Sequence, residues 1–289
     1  MKIQFLNGGL GNQAFQYIFA RNYALSHPGE IMYLDDSYFA LNTVHNGYEL
    51  EKVFGIKAPM LSECFSEDVW AFILEEKKKG KSVPWILNEN GIEMYMLTEV
   101  AGEYQGFNPF HGTVYSVTAN QYMPNVQELQ GNVYYHGYWI NINWFMAYKD
   151  ILRQEFCFPE ISDARNKEYA AQIQESNSVS IHVRRGDFVT LGWAFDADWY
   201  RKEVTKFLDR TLGQWDLFVF SDDILWCKEH AKEMGFDRFA KITYVEGNMQ
   251  GRNYIDMQLM SMCKKMILSD STFCCLAALL NTRKDQWMH

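Results

Sequence analysis

The sequence predicts an α/β protein made of two domains. Its 289 residues are enough for one large or two ordinary domains, and 48% of them are hydrophobic, so a substantial core is available. From residue 163 onward, predicted strands alternate with predicted helices, which is typical of a parallel sheet covered on both faces. The chain also opens on a strand, a glycine-rich turn and a helix. We place the domain boundary at Phe158-Pro159, which gives domains of 1–158 and 159–289.

The elements of the first half follow from hydrophobic spacing and from helix end signals. Phe15, Ile18 and Phe19 lie on one helical face, which predicts a helix. Ser66 can cap a later helix, and the lysine run at 77–79 suits its negative carboxyl end. The expected strands are Lys2–Leu6, Ile31–Leu34, Glu93–Leu97, Gly112–Val117 and Asn132–Trp139, and the expected helices begin near Asn12, Tyr48, Ser66 and Ile142, the last ending at Phe156.

The second half alternates between the two kinds of element. Val179, Ile181 and Val183 alternate with polar residues, and this period of two indicates a strand. The expected strands are 178–184, Asp216–Phe220, Lys241–Val245 and Met266–Leu268, and the expected helices are 163–176, Trp199–Leu212, Ile224–Met234, Tyr254–Cys263 and Phe273–Asn281.

Charged residues are concentrated at the carboxyl end of the strand 178–184. His182, Arg184, Arg185 and Asp187 lie there, and Gly186 lets the chain turn sharply. Open α/β sheets bind ligands at the carboxyl ends of their strands, and a planar guanidinium matches a phosphate with two parallel hydrogen bonds. These residues predict a diphosphate or nucleotide site. The alternative is a surface arginine pair bridged to Asp187 and other acids.

Polar clusters follow two more strands of the second domain. They are Ser221-Asp222-Asp223 and Ser269-Asp270-Ser271-Thr272. Since the strands are parallel, we expect all three clusters to meet at one edge of the sheet. An aspartate such as Asp222 can accept hydrogen bonds from a purine or a ribose, and Ser271 and Thr272 can cap a helix or hold phosphate. Together the clusters favour a nucleotide ligand.

The glycine-rich turn near the amino end has a second interpretation. Gly9-x-Gly11-x-x-Ala14, with Asp35 at the end of the next strand, satisfies the fingerprint of dinucleotide-binding proteins. It is equally consistent with a tight turn or with another phosphate or sugar ligand. Asn12 and Gln13 weigh against a dinucleotide, because their side chains could address a sugar hydroxyl.

Composition limits the classes of partner. The formal net charge of −9 argues against nucleic-acid binding. The amino end is too short for a secretory signal, and the apolar run Phe273–Leu280 is far short of a membrane span. Six cysteines without a C-x-x-C spacing indicate reduced, mostly buried thiols in a cytosolic protein.

A metal site is not expected. Asp196-x-Asp198 imitates a metal-binding D-x-D motif, but Asp198 precedes an amphipathic helix and is better explained as its N-cap. The seven histidines are scattered.

These motifs resemble those of the α-1,2-fucosyltransferases of glycosyltransferase family 11 over most of the chain. The hallmark, His182-x-Arg184-Arg185-x-Asp187, is shared with related α-1,6- and protein O-fucosyltransferases. The other blocks follow in the order of the family: Gly8–Gln13 with Phe15-Gln16-Tyr17, Ser221–Asp223 with Trp226-Cys227-Lys228, Asp256-Met257 with Ser261-x-Cys263-Lys264, and Ser269-x-Ser271-Thr272-Phe273 with Ala277-Ala278. The chain departs from the family pattern at Ile140-Asn141, Phe188–Asp196, Lys265, Asp270 and Cys274-Cys275-Leu276.

The resemblance implies a GT-B-like fold, in which two Rossmann-like domains hold the active site in the cleft between them. The second domain would bind GDP-fucose and the first largely the acceptor. Arg184 would hold the β-phosphate, with Arg185 and Asp222 as further donor-binding candidates. The remaining implied roles are guanosine recognition by His182 and Asp256, phosphate contacts from Ser271, Thr272 and the Phe273 backbone, and donor-sugar or acceptor contacts from Asn12, Gly9, Gly11 and Gln13.

The resemblance also implies a reaction. A galactoside α-1,2-fucosyltransferase moves L-fucose from GDP-β-L-fucose, with inversion, to the 2-hydroxyl of a terminal galactose on an oligosaccharide or lipid-linked glycan. No metal or other cofactor is expected, because Arg184 is a permanent charge that can stabilise the leaving phosphate. Asp187 is the nearest candidate base, although an aspartate beside two arginines is better explained as their structural partner.

Two alternatives stay open. The first is a non-catalytic or altered-specificity relative that binds sugar nucleotides or glycans. The second is a dinucleotide-dependent oxidoreductase.

Overall fold

The computed structural model describes residues 1–42, 46–100, 112–249 and 251–283. The chain divides into two compact units, Met1–Cys157 and Phe158–His289. The division lies next to the expected boundary after residue 158. Among the described residues each unit has a parallel sheet, and helices separate the strands of the second unit and the first three strands of the first, so the predicted class, α/β with two Rossmann-like units, is confirmed. The acceptor-side and donor-side roles of the units, and an active site between them, stay predictions.

The first unit is built on a sheet whose order, among the described residues, is β2-β1-β5-β3-β4. Its strands are β1 (Lys2–Phe5), β2 (Met32–Asp35), β3 (Tyr95–Val100), β4 (Val114–Thr118) and β5 (Val133–His136). Its helices are α1 (Leu10–Ser26), α2 (Ser37–Leu41), α3 (Leu50–Phe54), α4 (Glu67–Lys78), α5 (Val83–Glu89), α6 (Ile142–Ala147) and α7 (Lys149–Glu155), with 3-10 turns at Leu61–Cys64 and Pro124–Glu128. The order reverses at β1, so β1 and β5 flank a topological switch point, where open α/β sheets bind ligands.

The second unit has the strand order β8-β7-β6-β9, which is the 3-2-1-4 order of a Rossmann fold. Its strands are β6 (Ser178–Val183), β7 (Asp216–Ser221), β8 (Lys241–Tyr244) and β9 (Lys265–Ile267). Its helices are α8 (Ala164–Glu175), α9 (Gly186–Leu191), α10 (Ala197–Arg210), α11 (Ile224–Glu229), α12 (Tyr254–Met262) and α13 (Thr272–Leu280), with a 3-10 turn at Phe236–Arg238. The switch point lies between β6 and β9.

Helix α10 illustrates how the second core forms. Tyr200, Val204 and Phe207 recur at helical spacing and are fully buried in one cluster with apolar residues of β6, β7 and β9. At about 25 cal/mol per Å² of apolar surface, the apolar side chains Val204 and Phe207 each contribute on the order of 1.5–3 kcal/mol by burial. This packing fixes the strands that present the charged residues.

Several elements differ from the predicted ones. The helix expected over 142–156 is two helices, because Tyr148 leaves the helical conformation with φ −134° and ψ 36°. Helices α2, α5 and α9 were not predicted. All six cysteines are free, but only Cys227, Cys263 and Cys274 are buried and Cys157 is exposed. None of the described helices is long and apolar enough to cross a membrane.

Candidate functional site

The three polar clusters of the second unit meet at the carboxyl edge of its sheet, as predicted. Strand β6 pairs with β7 on one side and with β9 on the other. His182 Nδ1 lies 2.8 Å from Ser269 Oγ, across the switch point, and Arg184 Nη1 donates to Asp222 Oδ2 at 2.6 Å. A ligand at this edge would therefore meet side chains from three strand ends.

Arg184 is held by two carboxylates. Its Nη1 donates to Asp222, and its Nη2 donates to Asp187 Oδ1 at 2.5 Å. Phe188 lies beneath the guanidinium, 5.2 Å from it to the ring centroid. The Arg184 side chain remains 30% exposed. The fork is therefore fixed in direction while part of it stays open to a ligand.

Asp222 organises the turn after β6. Besides Arg184, it accepts the backbone N–H of Arg185 at 2.8 Å. Gly186 has φ +25°, and a Cβ there would lie 2.6 Å from Asp222 Oδ2, so a larger residue would displace this carboxylate. The guanidinium of Arg185 stacks 3.9 Å from the Trp226 ring, and its Nε is buried without a partner among the described residues.

Asp223, the third polar residue of that cluster, has a structural role. Its side chain accepts the N–H of Trp226 at 3.1 Å and caps α11.

His182 is buried and neutral. Burial, and to a lesser extent the Arg184 charge, lowers the pKa of His182 from 6.5 to about 3. Its ring is 5.7 Å from that of Phe273, centroid to centroid. At neutral pH this imidazole can exchange hydrogen bonds with a ligand but adds no charge.

The segment after β9 forms the start of α13. Ser271 caps the helix by accepting the N–H of Phe273 at 3.3 Å. Cys274 is buried behind it and donates to the carbonyls of Ser269 and Ser271, each at 3.3 Å. Burial raises the pKa of Cys274 to about 11. Thr272 begins the helix, and Asp270 is exposed. The amino end of α13 thus lies at the same edge as Arg184, where a helix terminus favours an anion.

Asp256 belongs to a buried polar network that sequence reasoning missed. Asn248 Nδ2 donates to Asp256 Oδ1 at 2.7 Å and to Asn166 Oδ1 at 2.9 Å, and Asn166 donates back to Asn248 Oδ1 at 2.8 Å. Asn166 also donates to Asp163, which is paired with Arg252 at 2.7 Å. Burial raises the pKa of Asp256 to about 7 against the lowering effect of Asn248. No local pattern joins residues 82 positions apart, so nothing in the sequence identified this network.

Helix α10, which begins within the D-x-D segment, is capped by a different aspartate from the predicted one. Asp196, not Asp198, accepts the N–H of Trp199, at 2.8 Å, because the backbone of Asp196 is extended and α10 begins at Ala197. Asp198 lies in the first turn and pairs with Arg201 and with Lys202, the latter at 2.8 Å. Within the described ranges, no three His, Cys, Asp or Glu side chains are grouped so that they could hold a metal ion.

The glycine turn of the first unit leads directly into α1. Gly8 has φ +77°, and a Cβ there would lie 2.6 Å from Asn12 Nδ2, so the turn packs tightly on Asn12. Gly9 accepts the N–H of Gln13 at 3.0 Å, and Gly11 is buried. Gln13 is also buried, and its amide bonds the Gly8 and Gly47 carbonyls and the Glu49 N–H. Gln13 therefore positions this loop, while Gly9 and Asn12 are partly exposed and have the surface that a sugar contact requires.

Asp35 is unsuited to a ribose. It is fully buried, accepts the Tyr134 hydroxyl at 2.6 Å and accepts the Ser37 N–H at 3.0 Å. A dinucleotide site needs this carboxylate at the surface.

A second group of residues lies at the switch point of the first sheet, and the sequence motifs did not assign these residues a role. Tyr138, after β5, is 38% exposed, and its hydroxyl accepts from Asn7 Nδ2 at 3.2 Å. Trp139 has φ +55°, unusual for a bulky residue, and the carboxylate of Glu99 accepts the N–H groups of Tyr138 and Trp139, each at 2.7 Å. Burial raises the pKa of Glu99. The dense aromatics at 134–139 were the available signal.

Comparison with known proteins gives consistent matches. The family described as glycosyl transferase family 11 matches residues 97–287. An alpha-1,2-colitosyltransferase of Escherichia coli is 31% identical over 275 residues, covering 93% of this chain and 83% of the relative. An O-antigen biosynthesis glycosyltransferase, WbnK, of the same organism is 25% identical, covering 97% and 90%. Among solved structures, the fucosyltransferase NodZ from Bradyrhizobium has 13% identity and a TM-score of 0.48, covering 96% of this chain and 91% of its own.

Proposed function

This chain belongs to glycosyl transferase family 11, and we propose that it is an inverting galactoside α-1,2-fucosyltransferase. The donor would be GDP-β-L-fucose and the acceptor the 2-hydroxyl of a terminal galactose. The observation that carries the proposal is the Arg184 fork, held by Asp187 and Asp222 at the edge where His182 and the start of α13 also lie.

The arrangement suits departure of a diphosphate. As the bond from fucose to the β-phosphate breaks, negative charge grows on phosphate oxygens. A guanidinium has five N–H donors, so the two bonds from Arg184 to carboxylates leave others for those oxygens. Because the fork is already oriented, the transition state requires little reorganisation. We propose that this fixed charge makes a metal ion unnecessary.

Asp187 has a different role from that of a base in this proposal. Its carboxylate already accepts from Arg184, and the two residues lie one helical turn apart. We assign Asp187 to orientation of Arg184.

The donor sugar has a second candidate. The relative that is 31% identical is an alpha-1,2-colitosyltransferase, and colitose is fucose without its 3-hydroxyl. A site that accepts colitose need not hydrogen-bond that hydroxyl, so both nucleotide sugars have to be tested. The O-antigen relative favours a bacterial lipid-linked or oligosaccharide acceptor over a protein.

The dinucleotide alternative loses its support. The buried carboxylate of Asp35 accepts hydrogen bonds from the Tyr134 hydroxyl and the Ser37 N–H, so it does not face a ligand. The non-catalytic alternative predicts donor binding without turnover.

The deciding experiment is transfer from labelled GDP-fucose and GDP-colitose by the full chain to an array of galactose-terminated glycans. Matched acceptors that end in 2-deoxygalactose serve as controls. We expect transfer only where the 2-hydroxyl is present, and NMR of the product should give an α-1,2 linkage. Transfer to the 2-deoxy acceptors would overturn the linkage, and tight donor binding without any product would favour the non-catalytic alternative.

A further inference from the structure

The buried amide pair of Asn166 and Asn248 has no part in the mechanism above. Both side chains are almost fully buried, at 0% and 2% exposure, and each donates to the other. Burying two amides is unfavourable unless their hydrogen bonds are made. Each amide also donates to one carboxylate outside the pair: Asn166 donates to Asp163, and Asn248 donates to Asp256 Oδ1 at 2.7 Å.

Topology places this pair at the ligand edge. Asn166 lies in the first turn of α8, which ends just before β6, and Asn248 follows β8. Asp256 lies in the first turn of α12. All three therefore lie on the carboxyl side of the sheet, where the strand ends present Arg184 and His182.

One oxygen of the Asp256 carboxylate is hydrogen-bonded within the protein, and the other is available to a ligand. Its Oδ1 accepts from Asn248, while among the described residues its Oδ2 takes no hydrogen bond from the protein. The side chain is partly exposed. Each carboxylate oxygen has two lone pairs, so Oδ2 and the second lone pair of Oδ1 can accept the N1–H and the exocyclic N–H of guanine. Adenine instead presents a lone pair at N1.

We propose that Asn248 is a positioning residue for nucleobase recognition: held by Asn166, it orients the Asp256 carboxylate toward guanine by donating to Oδ1. This inference rests on the proposed function, in that the donor is a guanosine diphosphate sugar.

The charges around Asp256 are few. Helices α8 and α13 pack against α12. Helix α13 has only cysteines as titratable groups. On the α8 side, Asp163 is paired with Arg252, and Arg165 donates to the Gly247 carbonyl at 3.1 Å. With burial raising the pKa of Asp256 to about 7, the Asn248 hydrogen bond is the main stabiliser of its charged form.

The test is equilibrium binding of GDP, IDP and ADP between pH 6 and 8.5, by wild type and variants of the full chain. In Asn248→Ala, GDP affinity at pH 7 should fall about tenfold, the loss expected for one hydrogen bond to a charged group. IDP lacks the exocyclic amine that would bind Asp256. The ratio of GDP affinity to IDP affinity should therefore be smaller in Asn248→Ala than in wild type. Raising the pH should restore much of the lost GDP affinity, because Asp256 ionises.

A second, isosteric variant gives the opposite dependence on pH. In Asn248→Asp, the introduced carboxyl can donate to Asp256 only while protonated, so GDP affinity should decline as the pH rises above neutrality. The matched control is Asn281→Ala, because that buried amide donates to the Cys263 carbonyl outside the network, at 2.8 Å. It should lower the melting temperature and leave base preference unchanged.

The outcomes separate the two proposals. If wild type binds GDP but the Asn248 variants weaken all three nucleotides equally with parallel pH profiles, Asn248 is only structural and this inference is wrong. If wild type does not prefer GDP at all, the proposed donor is wrong. Should Asn248→Ala fail to fold, the isosteric variant alone decides by the sign of its pH dependence.

Discussion

Replacing Arg184 with lysine should lower turnover by about two orders of magnitude and leave the fold intact. Arg184 bridges Asp187 and Asp222 with different nitrogens, at 2.5 and 2.6 Å. A lysine has one nitrogen and cannot bridge both while also meeting a phosphate. Losing an oriented donor to developing charge costs on the order of 3 kcal/mol in the transition state, which is roughly a hundredfold in rate.

The effect on stability should be much smaller. Arg184 is 30% exposed and its two partners are 50% and 23% exposed, so solvent screens both ion pairs. Such pairs contribute about 0–1 kcal/mol each, which corresponds to a shift in melting temperature of a few degrees.

The assay measures kcat and KM for the nucleotide sugar, Kd for GDP by competition, and the melting temperature of each variant. Arg201→Lys is the matched control, because Arg201 also pairs with an aspartate in the same unit but is 53% exposed and outside the clusters. Near-normal turnover in Arg184→Lys would show that Arg184 does not stabilise the leaving phosphate. An equal loss in both variants would point to a general effect on the fold.

Three further outcomes are expected. GDP at 100 times its Kd should stabilise the protein by about 2.7 kcal/mol and raise its melting temperature, while NAD should not; stabilisation by NAD alone would restore the dinucleotide interpretation. Transfer should continue in excess EDTA, and loss of activity that manganese restores would show that a metal is required. The pKa of His182 is lowered to about 3, below its ordinary 6.5, so the unfolded chain binds more protons between these values. Stability should therefore fall as the pH drops from 6.5 toward 3, by at most about 1.4 kcal/mol per pH unit from this group, and His182→Gln should show a shallower decline in thermal melts; an unchanged decline would place the acid sensitivity elsewhere.

Local patterns decided the elements that were predicted correctly. The alternation around Val179–Val183 and the buried helical face at Tyr200, Val204 and Phe207 each specify one structure by themselves. The parallel order of β7, β6 and β9 then brings the predicted clusters together. The charged part of the candidate site could therefore be located from the sequence.

Choices between equivalent residues could not be predicted. Asp196 and Asp198 are equally good caps by residue type, and only the backbone at Asp196, with φ −84° and ψ 173°, selects one. Tyr148 interrupts a helical pattern that shows no breaker. The Asn166–Asn248 pair depends on packing between α8 and the loop after β8, which no window of sequence contains.

Searches of genomes for dinucleotide-binding proteins would select this chain as a false positive. Its Gly-x-Gly-x-x-Ala turn and acidic strand end satisfy such a pattern, yet Asp35 accepts the hydroxyl of Tyr134 from β5, on the far side of β1. A search filter could therefore reject candidates in which a tyrosine is predicted to face that acid from the strand beyond β1. A glycine pattern alone assigns proteins with this architecture to redox chemistry. With the filter, the same proteins would instead be considered as candidate sugar-nucleotide enzymes.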